Sequence, residues 1–311
     1  MFSTPSRFLG CDGLEMVFHA ERVGACLLVL FCSNQSVLVT AVSAETPRET
    51  LWQKSNLVAW CLVPFDSAKR GPAERAEMLN RLGIRRVAYD WREEHVGTFE
   101  EEILQYQKYN LDFFAFWNWH PSLEPLVLKY GIHPQIWITN PSPEGDTDAE
   151  KVQAAVNALL PLVNKTAELQ LKLGLYNHGG WGGEPVNLIA VCEHLQQDHQ
   201  AKHVGIVYNF HHGHGHIDDF AAVLALMQPY LLCLNLNGMQ SAEEVSRGAN
   251  KILPIGSGLH EASMLRSVLE SQYDGPIGIL DHRPTIDAEQ SLRENLDGLR
   301  KVTANLVTSP E

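Results

Sequence analysis

Four histidines and one asparagine stand close together near the middle of the chain. They lie in the segment Tyr208–His216, at positions Asn209, His211, His212, His214 and His216. Imidazoles titrate near neutral pH, so they can transfer protons, and they also bind transition metals. This segment therefore suits either proton transfer or metal binding. The short, β-branched run Val204–Val207 precedes it, which predicts a strand that delivers these side chains to a site.

The composition is that of a globular protein with an acidic balance. The chain has 311 residues, of which 45% are hydrophobic and 20% charged, and its formal net charge is −13. This length suits one large domain or two small ones. Phosphate backbones require clusters of Lys or Arg, and the sequence shows none, so no nucleic-acid partner is expected.

The first part of the chain has the pattern of a secretory signal peptide. Arg22 precedes the apolar run Ala25–Phe31, and the small residues of Val42–Ala44 follow before Glu45. This order predicts cleavage after Ala44. The protein is therefore expected to be exported, to the periplasm or the extracellular space, with no membrane attachment after cleavage.

The predicted organisation is a leader at residues 1–44 and one domain at residues 45–311. A start at Met16 would give the leader a more usual length. An uncleaved membrane anchor is the alternative, although the polar Ser33–Ser36 interrupts the apolar stretch. Cys61, Cys192 and Cys233 lie in apolar segments of the domain, which predicts buried free thiols.

After the leader, short apolar runs alternate with longer amphipathic segments. The predicted strands are Leu57–Val63, Arg86–Tyr89, Leu111–Trp117, Gln135–Ile138, Lys172–Tyr176, Val204–Asn209, Leu231–Leu236 and Pro276–Leu280. Eight alternating units in about 265 residues predict parallel strands closed into a single (β/α)8 TIM barrel. A doubly wound open sheet is less consistent, because no Gly-x-Gly-x-x-Gly turn follows the first strand.

Three local patterns refine this prediction. Pro72 suits the first turn of a helix from Pro72 to Leu82, and the Thr98 to Glu101 spacing predicts a capping box at the next helix. The additional apolar run Lys251–Ile255 is interpreted as part of the seventh loop, because Pro254 disfavours a central strand.

Polar residues follow every predicted strand, and a barrel gathers its strand ends on one rim. Asp90, His178 and His212 are the candidate catalytic groups for proton transfer. The candidate substrate-binding residues are Arg92, Trp117, Asn118, His120, Asn140, Asn177, Trp181, Asn209, Asn235 and Asn237. Amides and Trp faces are typical of sites that bind sugar hydroxyls and rings, so the expected partner is a small-molecule carbohydrate.

Four motifs in order resemble a known family. They are Tyr176–Gly183, Gly205–His212, Leu234–Met239 and Gly278–His282. Together they resemble the xylose-isomerase-like TIM-barrel superfamily, which includes sugar isomerases and epimerases, inosose-type dehydratases and a DNA-repair endonuclease branch. The resemblance implies a divalent metal held by Glu, Asp, His and Glu at strand ends. This chain has Tyr176 or Asn177, Asn209, Asn235, and Asp281 or His282 at the corresponding positions.

Two interpretations of the site follow. In the first, zinc or manganese is held by imidazoles and one carboxylate, and the candidate ligands are His178, His212, His214, Asp281 and His282. In the second there is no metal, and the imidazoles act as bases or hydrogen-bond donors.

Some of these residues also have structural explanations. His211 alternates with His212 on a strand, which predicts that it points away from the site. Asp90 and Arg92 share a strand face, so they form either an ion pair or part of the substrate site. His216 is expected to start a helix or lie in a loop.

The leading functional prediction is an exported sugar isomerase or epimerase that transfers a proton beside a carbonyl, with or without a metal. A lyase or hydrolase acting on an oxidised sugar is an alternative. A carbohydrate-binding barrel that has lost catalysis is another, because Asn replaces the implied carboxylates. Endonuclease activity is disfavoured by the acidic balance.

Overall fold

The computed structural model describes residues 50–308, which form a closed barrel of eight parallel strands. The strands are β1 Leu57–Trp60, β2 Arg86–Tyr89, β3 Asp112–Trp117, β4 Gln135–Thr139, β5 Leu173–Tyr176, β6 Val204–Asn209, β7 Leu231–Leu236 and β8 Ile277–Leu280. Each strand pairs with its neighbours in the sequence, and β8 pairs with β1. The predicted (β/α)8 barrel is confirmed.

One helix follows each strand. The helices are α1 Pro72–Leu82, α2 Phe99–Lys108, α3 Leu123–Tyr130, α4 Asp148–Glu168, α5 Pro185–Asp198, α6 Phe220–Met227, α7 Glu261–Glu270 and α8 Ala288–Thr308. Short helices at Gly180–Gly183 and Ala242–Ser246 lie in the fifth and seventh loops. No helix within residues 50–308 combines the length and apolar character needed to span a bilayer. The predicted leader falls outside the described residues and stays a prediction.

Most predicted boundaries hold, and two local predictions need correction. Strand β1 ends at Trp60 and not at Val63, because Cys61 adopts a φ of 59° that turns the chain out of the strand. The predicted capping box at Thr98 does not form. The Thr98 hydroxyl donates to the carbonyl of His95, since a 3-10 turn already occupies the residues before α2.

The extra apolar run of the seventh loop lies where the sequence predicted. Leu231–Leu236 is strand β7, and the run Lys251–Ile255 makes only an isolated antiparallel bridge between Gly238 and Leu253.

Cys61, Cys192 and Cys233 are buried free thiols, as predicted.

The strands are buried on both faces, as parallel strands in a barrel require. Outward side chains pack against the helices. Inward side chains form a second cluster, whose upper part contains Trp60, Trp117, Trp137 and Tyr176. The rings of Trp60 and Trp137 lie 5.0 Å apart, and those of Trp117 and Tyr176 also 5.0 Å. This aromatic layer fills the barrel interior and forms the floor of any site at the carboxyl ends of the strands.

A buried ion pair joins α1 to α2 on the outside of the barrel. Arg75 Nη1 lies 2.7 Å from Glu102 Oε2, and both residues are buried. Arg75 Nη2 also donates to the carbonyl of Arg70. Removing one partner of such a pair leaves a charge buried without compensation.

We expect Glu102→Leu to lower the free energy of unfolding by about 3–5 kcal/mol, because it leaves Arg75 charged and unpaired. The double variant Arg75→Met with Glu102→Leu should recover much of that loss. Urea unfolding followed by circular dichroism measures both. Arg300→Met, which removes an exposed pair with Asp297, is the control and should cost less than about 1 kcal/mol. Equal losses in the single and double variants would contradict the argument.

Candidate active site

A cavity of about 250 Å³ opens at the carboxyl ends of the strands. It is lined by Trp60, Cys61, Phe65, Asp90, Arg92, Trp117, Tyr176, His178, Asn209, His211, His212, Leu280 and His282. The structure therefore brings together seven of the sequence-predicted residues. These are Asp90, Arg92, Trp117, His178, Asn209, His212 and His282.

Asp90 presents one free carboxylate oxygen to this region. Its Oδ1 accepts a hydrogen bond from the backbone N–H of Val63 at 3.0 Å, which the turn at Cys61 makes possible. Its Oδ2 is buried and has no hydrogen-bond partner. Burial raises the pKa of Asp90 to about 7, against the lowering effects of the Val63 N–H and the Arg92 guanidinium. A carboxyl with this pKa can accept a proton at neutral pH.

Arg92 does not form the ion pair with Asp90 that the sequence left open. Its Nη1 donates to the backbone carbonyls of Asp90, at 2.8 Å, and Trp91, at 2.7 Å. The guanidinium lies over the ring of Phe65, 5.7 Å from its centroid. Backbone oxygens and an aromatic face therefore hold this cation in the cavity wall.

Tyr176 was not among the predicted catalytic or binding residues, although its position at a strand end was a signal. Its hydroxyl accepts hydrogen bonds from the indole N–H of Trp60, at 3.1 Å, and from the amide of Asn209. Asn209 is held in this orientation because its Oδ1 accepts the backbone N–H of His211. Burial raises the pKa of Tyr176, so the phenol stays neutral. Neither bond uses its own hydroxyl hydrogen, which remains available to a ligand.

Four imidazoles line the cavity beside Tyr176 and Phe65. Ring centroids lie 4.5 Å apart for His178 and His212, 3.8 Å for His211 and His212, and 5.4 Å for His211 and His282. Burial lowers the pKa of His212 to about 3 and that of His282 to about 4. These two rings are therefore neutral at pH 7, and each has one N–H donor and one acceptor nitrogen.

The prediction that His211 points away from the site is wrong. Strand β6 ends at Asn209, and Phe210–His212 forms a 3-10 turn in which the alternation of a strand no longer applies. His211 is buried and lines the cavity.

The remaining predicted binding residues lie outside the cavity lining, and most support the backbone. Asn177 bonds both the N–H and the carbonyl of Asn209. Asn140 donates to Gly182, and Asn237 donates to Gly238. Asn235 is buried against Gly278, where any Cβ would overlap its Oδ1.

The other three of this group lie on the periphery. Asn118 is exposed, and its Oδ1 accepts the N–H of Trp119. His120 packs edge-on against the ring of Trp91, 5.1 Å between centroids. Trp181 donates to Asp148. Buried amides thus maintain the strand ends, and a sequence pattern cannot separate that use from substrate binding.

The predicted metal ligands do not converge. His212 and His282 line the cavity, whereas His214 and Asp281 do not. His214 Nδ1 lies 3.1 Å from the carbonyl of His211, and burial raises the pKa of Asp281 to about 8. Within residues 50–308 no three His, Cys, Asp or Glu side chains are arranged to hold a metal ion. The donor set as it stands does not fit the metal centre that the resemblance implied.

Comparison with solved structures finds the same fold in two sugar epimerases and in a protein that binds zinc. A 3-keto-D-glucoside 4-epimerase from E. coli superposes with a TM-score of 0.57 at 14% identity, over 80% of this chain and 99% of that one. A D-psicose 3-epimerase from Clostridium cellulolyticum H10 with D-tagatose gives 0.54 at 9% identity, over 80% and 98%. IolI protein with a zinc atom gives 0.60 at 10% identity, over 82% and 100%. At these identities the likeness concerns the fold alone.

A search of curated protein sequences gives no match. The model of a protein family described as xylose isomerase-like TIM barrel matches residues 124–302, which is more than half of the chain. This match and the closed eight-stranded barrel agree with the sequence motifs. The chain belongs to the xylose isomerase-like TIM-barrel family.

Proposed function

We propose that this protein is a sugar isomerase or epimerase that transfers a proton at a carbon beside a carbonyl. The observation that carries the proposal is Asp90, whose buried Oδ2 has no partner at the cavity wall. An unpartnered carboxylate with a pKa near neutrality is suited to remove a proton from carbon. The fold's occurrence in sugar epimerases supports the choice of sugar as the substrate class.

The proton transfer begins at Asp90. Its Oδ2 takes the hydrogen of the carbon next to the carbonyl, and the C–H electrons form a carbon–carbon double bond. The former carbonyl oxygen then carries negative charge, so a nearby donor stabilises this intermediate. Return of a proton to the same carbon from the other face gives an epimer. Return of a proton to the former carbonyl carbon gives an isomer, provided that the proton of the neighbouring hydroxyl passes to the former carbonyl oxygen, so that the new carbonyl forms at the first carbon.

Tyr176 is the donor we assign to that oxygen. Its hydroxyl is held by Trp60 and Asn209, its own hydrogen is unused by them, and it lines the cavity. Donors fixed before the reaction cost no reorganisation when charge develops. The neutral ring of His212 can bind sugar hydroxyls as a donor or an acceptor, and the ring of His178 lies beside it, 4.5 Å between centroids. The chemistry proposed is therefore carried by side chains, since the described ones do not fit a metal centre.

The experiment is proton NMR of a sugar panel in D2O, with D-tagatose, D-allulose and D-fructuronate as probes. Exchange of the hydrogen beside the carbonyl, with or without product, supports the enzyme. Sugar binding without exchange favours instead a carbohydrate-binding barrel that has lost catalysis. The assay is repeated after chelation, and loss of exchange that zinc or manganese restores would overturn the metal-free mechanism.

Asp90→Asn should reduce the exchange rate by about 100- to 10,000-fold, because the amide cannot accept the proton. The fold should survive, since the amide oxygen still accepts the Val63 N–H. Asp112→Asn, at the amino end of β3 and away from the cavity, is the matched control and should keep full exchange. An Asp90→Asn variant with normal exchange would exclude Asp90 as the base.

The exchange rate of the unaltered protein should depend on pH through Asp90. The pKa of this carboxyl is raised to about 7, and the ionised form is the active one. The rate should therefore rise about tenfold per pH unit below pH 7 and level off above it. A rate that is flat between pH 5 and 8 would contradict this assignment.

Tyr176→Phe should lower the exchange rate by about 100- to 1,000-fold while the sugar still binds, because only the charged intermediate needs the donor strongly. Tyr208→Phe is the control. It removes another buried hydroxyl, which has no hydrogen-bond partner and lies between the strands and the helices, outside the cavity. NMR exchange and calorimetric affinity are measured on both. A rate equal to that of Tyr208→Phe would remove Tyr176 from the mechanism.

A further inference from the structure

Arg92 is the one arginine or lysine among the residues that line the cavity. Its Nη1 is fixed by the carbonyls of Asp90 and Trp91, and Phe65 lies beneath the guanidinium. Its Nη2 and Nε make no hydrogen bond within the described residues. One edge of a planar, permanently charged group is thus oriented and left free at the cavity wall.

Most of the other described arginines have an acidic partner. A carboxylate lies within 4.0 Å of Arg70, Arg75, Arg81, Arg247, Arg283, Arg293 and Arg300, whereas Arg85 and Arg86 bond neutral oxygens outside the cavity and Arg266 has no ion pair among the described residues. The chain has 37 acidic residues against 24 basic ones, so carboxylates are plentiful. A half-buried guanidinium without one loses solvation that a paired group recovers, which favours a ligand as the missing partner.

The surroundings of Arg92 leave its charge uncompensated. Asp90 is the single carboxylate in the cavity lining, and burial raises its pKa to about 7, so it is only partly ionised at neutral pH. The rings of His212 and His282 are neutral. Lys251 lies near enough to lower the pKa of His212, and it forms no ion pair in the described part of the chain. Arg92 is therefore the one permanent charge among the lining residues although the whole chain is acidic, and it attracts anions when Asp90 is protonated.

The geometry points to a sugar that carries a carboxylate, bound by the free edge of Arg92, as the substrate of this site. The inference rests on the proposed sugar chemistry and narrows it to acids. A guanidinium edge with two adjacent N–H groups matches the two oxygens of a carboxylate. Asp90 is two residues away and lines the same cavity, so an acid anchored at Arg92 occupies the cavity that holds the proposed base.

Paired probes test this inference without requiring turnover. Calorimetry compares D-glucuronate with D-glucose, and D-fructuronate with D-fructose, on the full-length protein. We expect each acid to bind at least about 10-fold more tightly than its neutral counterpart, with the preference falling as salt rises. D-glucose 6-phosphate is the third arm. Tighter binding of the phosphate than of both acids would overturn the carboxylate assignment.

Arg92→Gln should abolish the preference for acids, measured in each variant as the ratio of acid to neutral-sugar affinity, and Arg92→Lys should restore only part of that ratio. Arg85→Gln is the matched control, because Arg85 also lacks a carboxylate but bonds Asn80 and the Tyr109 carbonyl outside the cavity. Acids that bind no more tightly than neutral sugars, or an unchanged preference in Arg92→Gln, would overturn the inference.

The exchange assay on the same sugars separates the two proposals. Acid binding through Arg92 without proton exchange leaves this inference standing and removes the isomerase. Exchange on a neutral ketose without any preference for acids supports the isomerase and removes the inference of an acid substrate.

Discussion

The hydroxyl of Tyr176 joins three strands across the mouth of the barrel. It lies on β5 and accepts hydrogen bonds from Trp60 at the end of β1 and from Asn209 at the end of β6. Asn209 is held in turn by Asn177 and by the N–H of His211, so the start of the histidine turn is fixed by the same network. If this hydroxyl were absent, the buried indole N–H of Trp60 and the amide of Asn209 would lose their acceptor.

Burial sets the charge of nearly every titratable group around this network. It moves the pKa of Asp90 up to about 7 and that of His212 down to about 3, so an acid and a base both approach the neutral form at pH 7. Removing charge from the lining increases the contrast with the guanidinium of Arg92. One physical cause therefore supplies both a carboxyl poised for proton transfer and a cation without a competitor.

The fold was predictable because it depends on repeated local patterns. Residues such as Arg86–Tyr89 and Leu231–Leu236 are short apolar runs with polar ends, and their boundaries were predicted correctly. The site was predictable in part, because strand ends of a barrel must converge, and Asp90 and His212 follow from that rule. The role of each amide side chain was not predictable, because Asn177 bonds the backbone whereas Asn209 lines the cavity. That difference depends on three-dimensional hydrogen bonding, and both residues look alike in the sequence.

The 3-10 turn that follows β6 has a consequence for how the chemistry of this barrel can vary. His211 and His212 both reach the cavity because the turn, and not the strand, sets their directions. A 3-10 helix advances by about 120° per residue, so inserting one residue after Asn209 would rotate each imidazole by about a third of a turn. Changes in loop length could therefore exchange the imidazoles that face a sugar without altering any residue type. Related barrels would then differ at this position in the length of the turn after β6. A comparison of residue types alone would not detect that difference.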